Sequence, residues 1–326
     1  KEIADRLWGE VDGKTVKYAA RGKGTIAWGL SLDEALALRK VETDLLHDGS
    51  HLLVHAHRTM PNAESYFVAC LEAAAVPSLD VSFRVAGRVP EIWDATTGEI
   101  REAANWHFEN GRTVVNLAFA PHGSVFVVFA NEATAEKART PNPVVARKVP
   151  GDWTVTFDRA SGGPAEPVDF PELVDWTVRP EEAIRHYSGT ATYRRTVAFD
   201  PSAVRDGSRV VLDLGMVHEV AEVEVNGRAC GTVWTAPYRV DITEAVATNL
   251  ELVVGVTNLW PNRLIGDAAL PEKSRVTRTN LNTYKANDPL LPSGLIGPMT
   301  IRTESRGAWR TRGNGVMFDG AELTVR

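Results

Sequence analysis

Ala221-Glu222-Val223-Glu224-Val225-Asn226-Gly227 decides the fold. Apolar and acidic residues alternate with a period of two, so Ala221, Val223 and Val225 share one face of a strand and Glu222 and Glu224 the other. Asn-Gly tolerates positive φ at both positions, which a two-residue hairpin turn needs to match the twist of its strands. The chain then returns to an extended pattern at Gly231-Thr232-Val233-Trp234. Working outward, Val210, Leu212 and Leu214 alternate before the hairpin, and Leu250, Leu252, Val254 and Val256 after it. Each run has the apolar-in, polar-out pattern of a half-buried antiparallel sheet. Asp241-Ile242-Thr243 is expected to cap a single helical turn before Asn249. Residues 151–326 are therefore predicted to form a jelly-roll sandwich, closing with strands at 299–304 and 321–326.

The same period starts near His51. Strands are expected at 52–57, 65–70, 82–85, 91–94, 113–119 and 124–129, several separated by the turn signals Thr97-Gly98, Asn110-Gly111 and His122-Gly123. They predict an antiparallel β-sandwich domain over 51–130, with 131–150, rich in Ala, Pro, Lys and Arg, as a linker. Residues 1–50 read as the end of an α/β unit. Short strands at 15–18 and 25–28 flank the turn Arg21-Gly22-Lys23-Gly24, and Ser31 with Glu34 forms a capping box ahead of Ala35-Leu36-Ala37-Leu38. The expected fold class is mainly β: two antiparallel sandwiches preceded by a short α/β remnant.

Composition narrows the function. Hydrophobic residues make up 44% of the 326 and charged residues 24%, the balance of a globular protein. No apolar run reaches the roughly 20 residues of a membrane-spanning helix. The formal charge of -6 is scattered along the chain, which argues against nucleic acid as a partner. Cys70 and Cys230 fall in different expected domains, so no disulfide framework or zinc-ligand spacing is present. The chain opens Lys1-Glu2-Ile3 without Met or a signal-peptide apolar region, so a processed or cut piece is expected.

Several motifs together resemble a known family. Leu212-Asp213-Leu214-Gly215, Asn226-Gly227, Gly231, Trp234, Pro237-Tyr238 and Asp241-Ile242-Thr243 resemble the galactose-binding-like, sugar-binding jelly roll of glycoside hydrolase family 2. Thr257-Asn258-Leu259-Trp260-Pro261-Asn262-Arg263-Leu264-Ile265-Gly266-Asp267 and Pro289-Leu290-Leu291-Pro292-Ser293-Gly294-Leu295-Ile296-Gly297-Pro298 resemble the C-terminal β-sandwich region of family 106 α-L-rhamnosidases. Ser188 to Tyr193, His57-Arg58, Tyr66-Phe67-Val68, Glu91-Ile92-Trp93-Asp94 and Ser124 to Phe129 resemble the same family in the same order, so the likeness spans roughly 50–300. Cys70 departs from it, where Asn would be expected, and the tail 305–326 is less familiar. The resemblance implies a rhamnose-containing glycan as partner, a catalytic barrel N-terminal to these domains, and a periplasmic or extracellular location.

Inverting hydrolysis of such a glycan needs an acid and a base about 6.5–9.5 Å apart. Glu222 and Glu224 share a face, but alternation alone explains them, and Asp267 and Asp288 read first as loop-ordering carboxylates. No catalytic residue is therefore assigned. His55 and His57 share a strand face without a third ligand, and read as structural or surface histidines rather than a metal pair. A structural calcium ion suits a jelly roll, but no Asp/Asn/Gly calcium loop supports it, and no other cofactor is expected. For sugar contact the candidates are Trp234, Tyr238 and Trp260, whose rings offer an apolar platform, with Asn258, Asn262, Arg263 and Asp267 to bind hydroxyls. The alternative is that these residues anchor a long, aperiodic loop, 260–298, to the sandwich or to a neighbouring domain. Trp93, Trp153 and Trp176 are expected in the cores.

Overall fold

The computed structural model describes all residues except 134–136, 139–143, 205, 281–282, 306–308, 311–315, 319–320 and 324–326. It is mainly β, built from antiparallel sheets packed in pairs. In the first pair a five-stranded sheet runs in the order Lys137–Ala138, Asn105–Glu109, Arg112–Phe119, Val76–Phe83, Leu45–Leu46. Its six-stranded mate runs Trp309–Arg310, Ile100–Glu102, Arg88–Trp93, Ser124–Glu132, Ala63–Cys70, Leu53–Met60. Tyr66, Val68, Val81, Phe83, Val115, Val127 and Phe129 alternate inward from both sheets into one core, and the Tyr66, Phe83 and Phe129 rings meet edge-on or tilted.

The second pair is a four-stranded sheet, Val145–Lys148, Thr300–Ser305, Ser208–Asp213, Arg239–Asp241, and a six-stranded one. The latter runs Val168–Phe170, Trp153–Phe157, Thr190–Ala198, Asn249–Thr257, Val220–Val225, Arg228–Val233. The alternating residues of the opening motif point inward as expected: Ala221, Val223, Val225, Leu250, Leu252, Val254 and Val256 are all buried with Trp153 and Tyr193. Asn226 and Gly227 both take positive φ, 52° and 76°, and close the hairpin between Val220–Val225 and Arg228–Val233. The Asn226 side chain adds two bonds, donating to the Ala245 carbonyl at 2.8 Å and accepting from the Glu251 amide at 2.8 Å. The helical turn expected after Asp241 is a 3-10 turn, Thr243–Ala245, with the Asp241 carboxylate accepting from the Thr243 amide.

Several readings change. The expected strand at 82–85 is the end of Val76–Phe83, whose first half was hidden because Pro77 and Asp80 interrupt its apolar pattern. Asn105–Glu109 and Ile100–Glu102 are strands with too few apolar residues to have shown a period. The expected loop 260–298 contains a helix, Pro261–Ala268, and a strand, Gly294–Gly297, that pairs with Met216–His218. The helix escaped notice because its buried face carries Asn262, Arg263 and Asp267. At the N-terminus, helix Glu2–Trp8 precedes the hairpin Tyr18–Arg21 and Gly24–Ala27, and the Ser31–Glu34 capping box is formed as expected on helix Leu32–Leu38. Within 131–150, Lys137–Ala138 edges the first pair of sheets and Val145–Lys148 the second. The last three residues of the expected strand 321–326 lie outside the described residues.

Candidate functional site

Strand register gathers the candidate residues at one end of the second sandwich. Thr257 is paired with Thr190 and with Val220, and Ala221 with Val233. The segments that follow Val233 and Thr257, and those that precede Thr190 and Val220, therefore leave the six-stranded sheet at the same end. Trp234 and Asn258 to Trp260 share that end.

Four of the candidates form a buried polar frame. Asn258 donates from Nδ2 to the Tyr187 carbonyl at 2.9 Å and to Ser293 Oγ at 3.1 Å, and accepts from the Gly189 amide at 3.0 Å. Asn262, only 1% exposed, brackets Leu291, donating to its carbonyl at 2.7 Å and accepting from its amide at 2.8 Å. Asn262 Nδ2 also reaches Ser293 Oγ at 3.0 Å, so one hydroxyl joins the two asparagines. Asp267 accepts from the Val276 amide at 3.2 Å, the Thr277 amide at 2.7 Å and the Thr277 hydroxyl at 2.5 Å. Arg263, one turn earlier on the same helix face, meets Asp267 at 2.9 Å. Burial pushes the Asp267 carboxyl up, but the bonds from Thr277, Val276 and Arg263 outweigh it and hold it below the ordinary value.

In this frame the amides and the ion pair hold backbone. Every polar atom of Asn258 and Asn262 is engaged within the chain, and both N–H groups of each amide are used. Outside the frame stand Trp260, 58% exposed, and Trp234, 64% exposed, with Leu259 and Leu291 also exposed. Tyr238 is half-buried against the core, and that burial, then the Glu219 charge, raises its phenol above the ordinary value. The structure thus separates the candidates into an internal frame and an exposed aromatic pair.

Ser293 and Asp175 belong to the frame and were missed. Asp175 Oδ1 accepts from both the Thr177 and Ser293 amides, at 2.9 and 3.1 Å, which ties the Trp176 turn to the Pro-Ser-Gly segment. An Asp two residues before a Thr is a recognisable turn cap, but its second partner lies far away in sequence. Trp176 and Trp153 are core residues, as expected, and Trp93 is half-buried with its Nε1 donating to Glu91 at 3.0 Å. Glu222 and Glu224 are exposed on the outer sheet face, and Asp288 accepts from the Lys285 amide in a local turn. His55 is exposed. His57 lies between Asp44 at 3.3 Å and Glu64 at 2.8 Å, stacked on Tyr66, and the described residues hold no cluster of three metal-ligating side chains.

Residues 1–107 match the family model of the α-L-rhamnosidases of glycoside hydrolase family 106. The structure of a rhamnosidase from Novosphingobium sp. PP1Y matches 93% of this chain with a TM-score of 0.79 and 33% identity, and the chain spans 28% of that protein. A Formosa agariphila protein carrying the provisional name β-glucuronidase is 37% identical over 193 residues, 52% of this chain and 16% of its own length. A β-glucuronidase from an uncultured Clostridium sp. matches 51% of the chain and 30% of itself at 18% identity and a TM-score of 0.38, too distant to carry argument. The chain is a relative of glycoside hydrolases. More particularly, it is related to the family 106 α-L-rhamnosidases, in sequence over its first 107 residues and in fold over most of its length. The family model thus matches residues 1–50, which the quoted motifs did not use, and ends before the motifs at 257–298.

Proposed function

We propose that this chain is the accessory β-sandwich region of an α-L-rhamnosidase, supporting the catalytic barrel of a longer enzyme rather than supplying its acid and base. The carrying observation is the N-terminal segment. Helices Glu2–Trp8 and Leu32–Leu38 bury no residue, and Ile3, Leu7, Trp8, Trp28, Leu32 and Leu38 are exposed. Two short helices with bare apolar faces lack the packing that normally stabilises helices of this length. A neighbouring domain of a longer enzyme would cover them; the rhamnosidase this chain matches is itself longer, the chain spanning 28% of it. On this reading the second sandwich is a galactose-binding-like jelly roll, and its exposed end with Trp234 and Trp260 lies at the rim of the active site.

A second reading, a carbohydrate-binding module without hydrolysis, is favoured by those two exposed rings, since a pyranose packs its apolar face on such a surface. One experiment separates the readings: hydrolysis of an aryl α-L-rhamnoside by this chain alone, with calorimetric titration of rhamnose in the same buffer. The accessory reading expects no turnover; turnover sinks it. Binding without turnover, lost in Trp260→Ala, transfers the function to the second reading.

A further inference from the structure

One tripeptide closes two hairpins in this chain, and the fold treats its two copies differently. Asn110-Gly111-Arg112 closes the hairpin between Asn105–Glu109 and Arg112–Phe119, with Glu109 paired to Arg112. Asn226-Gly227-Arg228 closes the one between Val220–Val225 and Arg228–Val233, with Val225 paired to Arg228. Their backbones match: φ is 49° then 75° across the first turn, and 52° then 76° across the second. All four turn residues are exposed, and beyond the turn itself nothing lies within 4 Å of where either glycine would carry a Cβ. A third Asn-Gly pair, Asn314-Gly315, lies outside the described residues.

The asparagine side chains are what differ. Asn226 Nδ2 donates to the Ala245 carbonyl at 2.8 Å, and Asn226 Oδ1 accepts from the Glu251 amide at 2.8 Å. The Asn226 backbone amide adds a third bond, to the Glu251 carbonyl at 3.0 Å. Both ends of that carboxamide are thus fixed to neighbouring segments. Among the described residues, the Asn110 side chain has no hydrogen-bond partner, so its carboxamide carbon can rotate toward the Gly111 nitrogen without breaking a bond. Asparagine before glycine is chemically labile because no side chain on the glycine hinders its nitrogen.

We propose that Asn110 is a site of spontaneous covalent modification, converted through a cyclic imide to aspartate and isoaspartate, and that its side-chain bonds protect Asn226. The Gly111 nitrogen loses its proton and attacks Asn110 Cγ. A C–N bond forms, the Cγ–Nδ2 bond breaks, and ammonia leaves carrying that proton. Water then opens the imide at either carbonyl, and nothing is oxidised or reduced. At Asn226 both side-chain bonds must break first, which corresponds to a rate roughly tenfold lower or less. Isoaspartate at 110 adds a negative charge and one backbone atom close to Arg112. The Arg112 guanidinium donates to the Ser82 and Asp44 carbonyls, each at 3.1 Å, so the change falls beside bonds that hold the segment at Asp44 to the first sandwich. The inference is independent of the rhamnosidase reading.

The test incubates this chain at mildly alkaline pH, folded in one arm and in urea beyond its unfolding midpoint in the other. Peptides containing Asn110 and Asn226 are then followed by mass mapping, with chromatographic separation of the products. In the folded chain the Asn110 peptide is expected to gain about 1 Da and split into two products, at least about tenfold faster than the Asn226 peptide. In urea the two rates are expected to converge, because both asparagines precede Gly-Arg and the protecting bonds are gone. Equal rates in the folded chain overturn the proposal, as does an unreacted Asn110 or a tenfold difference that persists in urea. A single aspartate product at 110, without isoaspartate, overturns the imide step.

Discussion

Arg263 Nη2 lies 2.9 Å from Asp267 Oδ1, one helical turn apart, with the residues 6% and 3% exposed. The pair joins helix Pro261–Ala268 to the segment beyond it, because the same carboxylate accepts the amides of Val276 and Thr277. In the structure, a motif that suggested sugar contact holds the chain's own backbone.

Removing one partner of a buried pair costs more than the pair is worth, since the other charge is left desolvated. Asp267→Asn is therefore expected to destabilise the chain by about 3 kcal/mol, read as a lower urea midpoint, while Arg263→Met is expected to cost less. Equal losses in the two variants would show that the ion pair is not what organises this segment.

Acid should act through the same carboxylate. The Asp267 carboxyl is depressed in the fold, as is that of Asp44, where burial opposes but bonds from Arg84 and His57 prevail. A depressed carboxyl contributes stability that is present above its unfolded value, near about 3.9, and is lost as pH falls below it toward the folded value. Urea midpoints measured from pH 6 down to pH 2.5 should fall chiefly below about pH 4, and less steeply in Asp267→Asn. A midpoint independent of pH across that range would contradict the assignment.

The Asn226-Gly227 turn carries more than its backbone geometry. Asn226→Ala loses both side-chain bonds and puts alanine at a φ of 52°, so a cost of about 2 kcal/mol is expected. Asn226→Gly restores the φ but not the bonds, and should recover only part of it. Thermal melts of the three proteins provide the comparison.

Trp260→Ala and Trp234→Ala remove rings that are mostly in solvent. Each should change stability by no more than about 0.5 kcal/mol. Any loss of rhamnose binding, or of assembly with a catalytic barrel supplied separately, can then be assigned to the exposed surface itself. A loss of several degrees in melting temperature would instead place these rings in the fold.

Alternation at 221–225 and 250–256, the Asn226-Gly227 turn and the Ser31–Glu34 capping box were legible because each is a local rule: a period, a φ requirement, a three-residue spacing. Helix Pro261–Ala268 was not, because its inward face is polar and apolar periodicity is blind to burial achieved through hydrogen bonds. Asn258, Asn262, Arg263 and Asp267 could be picked out as a group that mattered. Whether they faced a ligand or the backbone depended on Tyr187, Leu291, Ser293 and Thr277, which no sequence spacing connects to them. What the sequence by itself determined was the mainly β class, the strands and their inward faces, since those follow from neighbours two to four residues apart. Which buried polar groups find a partner and which are left without one, as at Arg195, was decided only by tertiary structure, because a donor is satisfied by whatever folding brings within about 3 Å of it.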